Sequence, residues 1–95
     1  MRGGWVYIMT NRPNGTLYVV VTADLARRVS QHRAGNGSSF TAEFGLTRLV
    51  YAERFADIRD AIQREKTMKH WVRAWKMRTI MARNVDWADI SDQAF

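Results

Sequence analysis

A carboxylate, a guanidinium, an imidazole and two phenols occupy positions where the local pattern demands a reason. In the run DIRDAIQREKTMKHWVRAW, the apolar residues Ile58, Ala61, Ile62, Met68, Val72 and Trp75 recur at three- and four-residue spacing, and Glu65 falls inside their stripe. An ionised carboxylate on a core-facing position is costly unless cations, hydrogen bonds or a metal compensate it. Two readings stand: a buried partner for an arginine, or a single-carboxylate metal site. Mg²⁺ suits the second, because it keeps most of its waters and needs few protein oxygens when a phosphate supplies the rest.

In ADLARRVSQHRAG, Leu25 and Val29 define the inward direction of a helix. Arg28 and His32, one turn apart, project beside that stripe, whereas Arg27 points away into water. Arg28 is therefore held against whatever the helix packs on; the alternative is that it only lays its stem over the core, with His32 a boundary residue. Tyr7 and Tyr18 stand on either side of Asn14-Gly15 in VYIMTNRPNGTLYVV. A hairpin loop of even length puts both phenols on one face of a sheet, and a three-residue loop splits them. Tyrosine is also an ordinary strand residue that anchors cores by its ring.

The elements that position these groups follow from periodicity and punctuation. Residues 5–12 and 16–22 read as strands around the Asn14-Gly15 turn. A helix of about three turns follows, capped by Thr22 or Asp24 and stopped by Gly35. Residues 35–47 read as loop and 48–55 as a third strand. Asp57 caps the longest helix, with a break expected near Trp75 and Lys76, a further helix to about Arg83, and a short final turn, WADIS, capped by Asn84 or Asp86. The order β-β-α-β-α-α predicts one α+β domain spanning 1–95, a small sheet with helices packed on it.

Composition narrows the chemistry. The chain has 95 residues and no cysteine, which removes disulfides, thiolate zinc sites and cysteine nucleophiles and suits a reducing cytoplasm. His32 and His70 are too far apart in sequence to suggest a histidine metal cluster, so a bound metal is expected to be a hard, oxygen-liganded ion. No membrane segment or signal peptide is read. The net charge of +6 is uneven: residues 1–23 hold no acid, and between Arg64 and Arg83 lie seven cations and one acid, Glu65. Such a field gathers polyanions, although a solvated helix face has the same composition.

Taken together, the ordered set resembles the GIY-YIG nuclease domain, of the small stand-alone bacterial kind. Val6-Tyr7-Ile8 stands where the first triplet belongs and Tyr18-Val19-Val20 where the second does; Arg28 and His32 follow Tyr18 by ten and fourteen residues, Glu65 lies at the acidic position, and Asn84 resembles a late asparagine. The resemblance covers about Trp5 to Ile90 and implies a three-stranded, mainly antiparallel sheet flanked by helices. It also implies a metal-dependent endonuclease acting on DNA, of the type used in repair or recombination. In that reading Glu65 binds one Mg²⁺ or Mn²⁺ ion, Tyr7 and Tyr18 line the site, Tyr7 helps to activate water, Arg28 contacts the scissile phosphate and His32 supports it. Arg27, Arg33, Lys66, Lys69, Arg73 and Asn84 are the expected nucleic-acid contacts. A free phenol, with a pKa of about 10, is a poor base at neutral pH, so Mg²⁺ and Arg28 are expected to lower that of Tyr7.

Two positions depart from the pattern. The second triplet ends in Val20 instead of glycine, and an even turn is expected to stand it between the tyrosines, across from Met9. Glu43 in SSFTAEFG would repel phosphate if it faced the cleft. Beside the nuclease stand two rivals: a nucleic-acid-binding module that has lost turnover through Val20 and Glu43, and a small basic adaptor docking a protein through Trp71 and Trp75, whose exposure would also hint at self-association.

Overall fold

The computed structural model describes residues 2–35 and 43–93. Three strands, β1 (Gly4–Thr10), β2 (Leu17–Thr22) and β3 (Arg48–Phe55), form one antiparallel sheet in the order β2-β1-β3. Helices α1 (Leu25–Arg33), α2 (Ile58–Lys69) and α3 (Arg73–Arg83) flank it. The central strand, GWVYIMT, is almost continuously apolar because both of its faces are covered. Val6 and Ile8 enter one core with Val19, Ala61, Met68 and Ile80; Tyr7 and Met9 enter the other with Leu25 and Val29.

The hairpin loop decides what shares a face. Strand pairing ends at Thr10 and resumes at Leu17, leaving a six-residue loop, an even number. Within it, Gly15 donates its N–H to the Arg12 carbonyl at 2.9 Å, closing a turn with Pro13 and Asn14 at its centre. Proline presets the first central residue, and Asn14 takes the left-handed conformation (φ 59°) that the second requires. Asn11 Oδ1 accepts the N–H of Thr16 at 3.1 Å. The loop is wider than Asn14-Gly15 alone suggests, so the register slides: Tyr7 pairs with Val20, and Tyr18 with Met9. Val20 therefore faces Tyr7, not Met9. Between β1 and β3, a bulge at Ile8/Met9 leaves Val50 as an extra residue, so that Val50 and Tyr51 enter the same core although they are consecutive.

Caps follow sequence chemistry. Asp24 accepts the Arg27 N–H at 3.1 Å and Asp57 the Arg59 N–H at 2.9 Å. Gly35, with φ of 77°, ends α1 by returning its N–H to the His32 carbonyl. The helix break comes earlier than the expected Trp75: α2 stops at Lys69 and Val72 is extended. The bend packs Trp71 against the core and lets α3 bring Met77 and Ile80 back to the same face. Its consequence is that Ile62, Val72 and Trp75, expected inside, are exposed. Among the described residues the expected final turn over WADIS does not form; Asn84 instead braces the C-terminal segment, donating to the Val50 and Ala88 carbonyls and accepting from the Ala88 N–H. The loop expected over 35–47 lies mostly outside the described residues; in its described part, Glu43 and Phe44 make a short helical turn and Glu43 is exposed.

A Cβ at Gly15 would collide with the side chain of Asn11 and with the carbonyl of Arg12. Gly15→Ala is expected to cost about 1–3 kcal/mol through this crowding, read as a lower urea midpoint with an unchanged slope. A midpoint equal to that of the parent would show that the loop relaxes freely.

Candidate active site

The even register and the pitch of α1 bring four of the expected groups together on one face. Tyr7 comes from the central strand, Tyr18 from the edge strand, and Arg28 and His32 from the helix packed over them. The Tyr7 hydroxyl lies 3.0 Å from His32 Nε2, and both residues are buried, Tyr7 completely. The Tyr18 ring meets the imidazole edge-on, with centroids 6.2 Å apart. Arg28 lies close enough to the Tyr7 hydroxyl to act on its pKa, and its Nη1 donates to Gln31 Oε1 at 3.2 Å. Arg28 and Tyr18 keep part of their surface in solvent, whereas Arg27 is exposed, as the helix pattern requires.

Electrostatics runs against one expectation. Burial raises the pKa of Tyr7 above the phenol value of 10.0, more than Arg28 lowers it. Burial, aided by Arg28, depresses His32 below 6.5. At neutral pH the pair is an un-ionised phenol and a neutral imidazole. His32 Nδ1 is buried without a hydrogen-bond partner among the described residues. Tyr7 and His32 thus form the buried support of the site, with Arg28 and Tyr18 as its solvent-facing part.

Glu65 stands apart from this group. It belongs to α2, whose buried residues Ala61 and Met68 pack with Val6, Ile8 and Val19 on the other face of the sheet. Its side chain is 14 % exposed, and its Oε1 lies 3.4 Å from Lys69 Nζ. The ion pair answers the cost of a carboxylate inside the apolar stripe, with a lysine in place of the expected arginine. Among the described residues there is no group of three or more His, Asp or Glu fit to chelate a metal. The donor chemistry fits one hydrated hard ion held by a single carboxylate, provided that Lys69 yields its place.

The expected nucleic-acid contacts divide. Arg27 lines a cleft of about 360 Å³ with Arg2, Thr22, Asp24, Arg28 and Gln31, beside the phenol group. Lys66 is exposed. Arg33 is engaged with Ser91 at 3.1 Å and Asp92 at 3.7 Å. Arg73 is tied to the hairpin, donating to the carbonyls of Asn14, at 2.8 Å, and Gly15. Asn84 spends its amide on backbone groups. Gln31 and Arg2, which line the same cleft, are not among the residues that the sequence pattern picks out. Gln31 was legible at three residues from Arg28 on one helix. Arg2 had no local signal, because only folding brings the N-terminus beside α1.

A family model described as the GIY-YIG catalytic domain matches residues 3–78. The chain belongs to the GIY-YIG family. That span contains Tyr7, Tyr18, Arg28, His32 and Glu65 and ends before Asn84. The chain is 36 % identical over 74 residues to a UPF0213 protein of Lacticaseibacillus paracasei, covering 78 % of this chain and 83 % of the relative. It is 37 % identical over 76 residues to a UPF0213 protein of Natronomonas pharaonis, covering 80 % and 88 %. A UPF0213 protein of Bacillus halodurans, solved by NMR in solution, superposes with a TM-score of 0.58 at 26 % identity over 97 % of each chain. GIY-YIG is a nuclease family whose substrates are nucleic acids, DNA in general, and whose members generally use divalent metal ions. No helix among the described residues is long and apolar enough to cross a membrane.

The depressed His32 pKa has a pH signature. Folding stability holds its full value above the unfolded pKa near 6.5 and falls as pH drops from there through the lowered native value. The sign follows because the unfolded chain takes up a proton that the buried imidazole refuses. Urea unfolding at stepped pH is expected to show this decline in the parent protein and a flatter line in His32→Gln; equal slopes would assign the decline to other groups.

Proposed function

We propose that the protein is a metal-dependent endonuclease that hydrolyses DNA phosphodiesters, working with one Mg²⁺ or Mn²⁺ ion in the cytoplasm, in DNA repair or recombination. The observation that carries this reading is the convergence of Arg28, Tyr18, Tyr7 and His32 on one face. Phosphodiester hydrolysis gathers negative charge on the phosphorane-like centre and the leaving oxygen. The Arg28 guanidinium, steadied by Gln31, grips the scissile phosphate. Tyr18 faces the substrate from the edge strand. Tyr7 and His32 act as positioning residues: the phenol packs beside Arg28, and the neutral imidazole hydrogen-bonds the phenol and braces the Tyr18 ring. Glu65 is the residue that would hold the ion, whose positive charge would stabilise the departing oxygen. For both groups to act on one phosphate, Glu65, carried by the helix packed on the β2 edge strand, must reach round that edge to the phosphate held by Arg28.

A second reading is favoured by one feature. Val20 pairs with Tyr7 on the face of the phenols, where the family's glycine leaves room. A branched side chain there narrows the floor of the site, and a displacement of the phosphate by about 1 Å costs on the order of a hundredfold in rate. In this reading the domain binds nucleic acid and turns over slowly or not at all.

Glu65→Gln is expected to abolish metal-dependent cutting of plasmid DNA while leaving DNA affinity, followed by anisotropy, nearly intact. Val20→Gly is expected to raise the cleavage rate by up to roughly a hundredfold, despite a stability loss of about 1–3 kcal/mol from the lost side-chain packing and the freer backbone. Cutting that survives Glu65→Gln overturns the metal assignment, and an unchanged or lower rate in Val20→Gly overturns the account of Val20.

A further inference from the structure

The bend between α2 and α3 builds a second feature, on the sheet face opposite Tyr7 and His32. The Arg64 guanidinium carbon lies 4.9 Å from the centre of the Trp71 ring, and Trp71 meets Trp75 edge-on, with centroids 6.4 Å apart. The ladder is anchored at its inner end, where Trp71 packs against the core and Arg64 pairs with Glu53 at 3.3 Å. Its outer end is open: Trp75 is 51 % exposed. Lys69, Lys76 and Arg78 surround it in sequence, and the single acid of the 64–83 segment, Glu65, is already paired with Lys69. Arg73 ties the start of α3 to the hairpin tip at Asn14 and Gly15, three residues before Tyr18.

We propose that Trp75, backed by Trp71 and Arg64, is a stacking platform for unpaired nucleotide bases, so that the preferred substrate carries a single-stranded segment beside the cut. An indole face in a cationic field has the two attractions that a single strand needs, a π-surface for its bases and positive charge for its phosphates. A duplex offers only the second, because its bases are stacked inside. The same charge disfavours a second copy of this chain as the occupant, since pairing these faces would bring like charges together. The platform extends the DNA-cutting reading, yet it is measured by binding alone.

The test is the affinity of a fluorescein-labelled oligothymidylate, without metal, for the parent protein, Trp75→Ala, Trp75→Phe and Val85→Ala, with sedimentation of each. Trp75→Ala is expected to weaken binding about tenfold and Trp75→Phe to restore most of it. Val85, 66 % exposed and outside the ladder, is a control whose truncation should change nothing. Equal affinity in Trp75→Ala, or the same loss in Val85→Ala, overturns the platform. So does a parent dimer that Trp75→Ala dissociates with no effect on the oligonucleotide, which would give the face to a second copy. Dependence on Trp75 in a protein that fails to cut DNA with either Mg²⁺ or Mn²⁺ supplied in excess would uphold the platform and remove the nuclease reading; metal-dependent cutting with no dependence on Trp75 would do the reverse.

Discussion

The register of the β1–β2 hairpin governs the chemistry of this molecule. Side chains alternate along a strand, so one residue more or less in the loop would send Tyr18 to the opposite face and Val19 into its place. The loop holds an even count because Pro13, Asn14 and Gly15 close a turn that Asn11 and Thr10 brace from the β1 side. Arg73 then clamps the tip from α3. A guanidinium that charge alone would assign to nucleic acid is thus spent on holding the hairpin, and with it the position of Tyr18.

Burial does the next part of the work. A phenol and an imidazole deep in a core are costly unless they satisfy each other, and here they share one hydrogen bond. Burial disfavours charge on either group, so both are un-ionised at neutral pH. The arginine beside them stays charged, so the cluster presents a single cation on a neutral, rigid bed. Such a bed suits an anion better than a mixture of mobile charges would, because it reorganises little when the anion arrives.

The sheet also separates functions. One face carries the phenols and Arg28; the other carries Glu65, Lys69 and the tryptophan ladder. With three strands the sheet is narrow. The cationic segment from Arg64 to Arg83 adds positive charge on the side of Glu65 and the tryptophans, a field of the kind that gathers polyanions.

By itself the sequence determined a good deal: three strands, the caps at Asp24 and Asp57, the stop at Gly35, and the inward set of Arg28 against the outward set of Arg27. These are local matters of alternation, helical pitch and side-chain hydrogen bonds within a few residues. It also carried the ordered tyrosines, arginine, histidine and glutamate by which the family is recognised. Tertiary structure alone decided the six-residue loop that sets Val20 opposite Tyr7, the early bend that turns Trp75 outward, and the commitment of Arg73 and Asn84 to backbone carbonyls. It also decided the direction of the Tyr7 pKa and the placement of Glu65 across the sheet. Each of these depends on which distant atoms exclude water or offer a partner, and such neighbours exist only once strands and helices have packed.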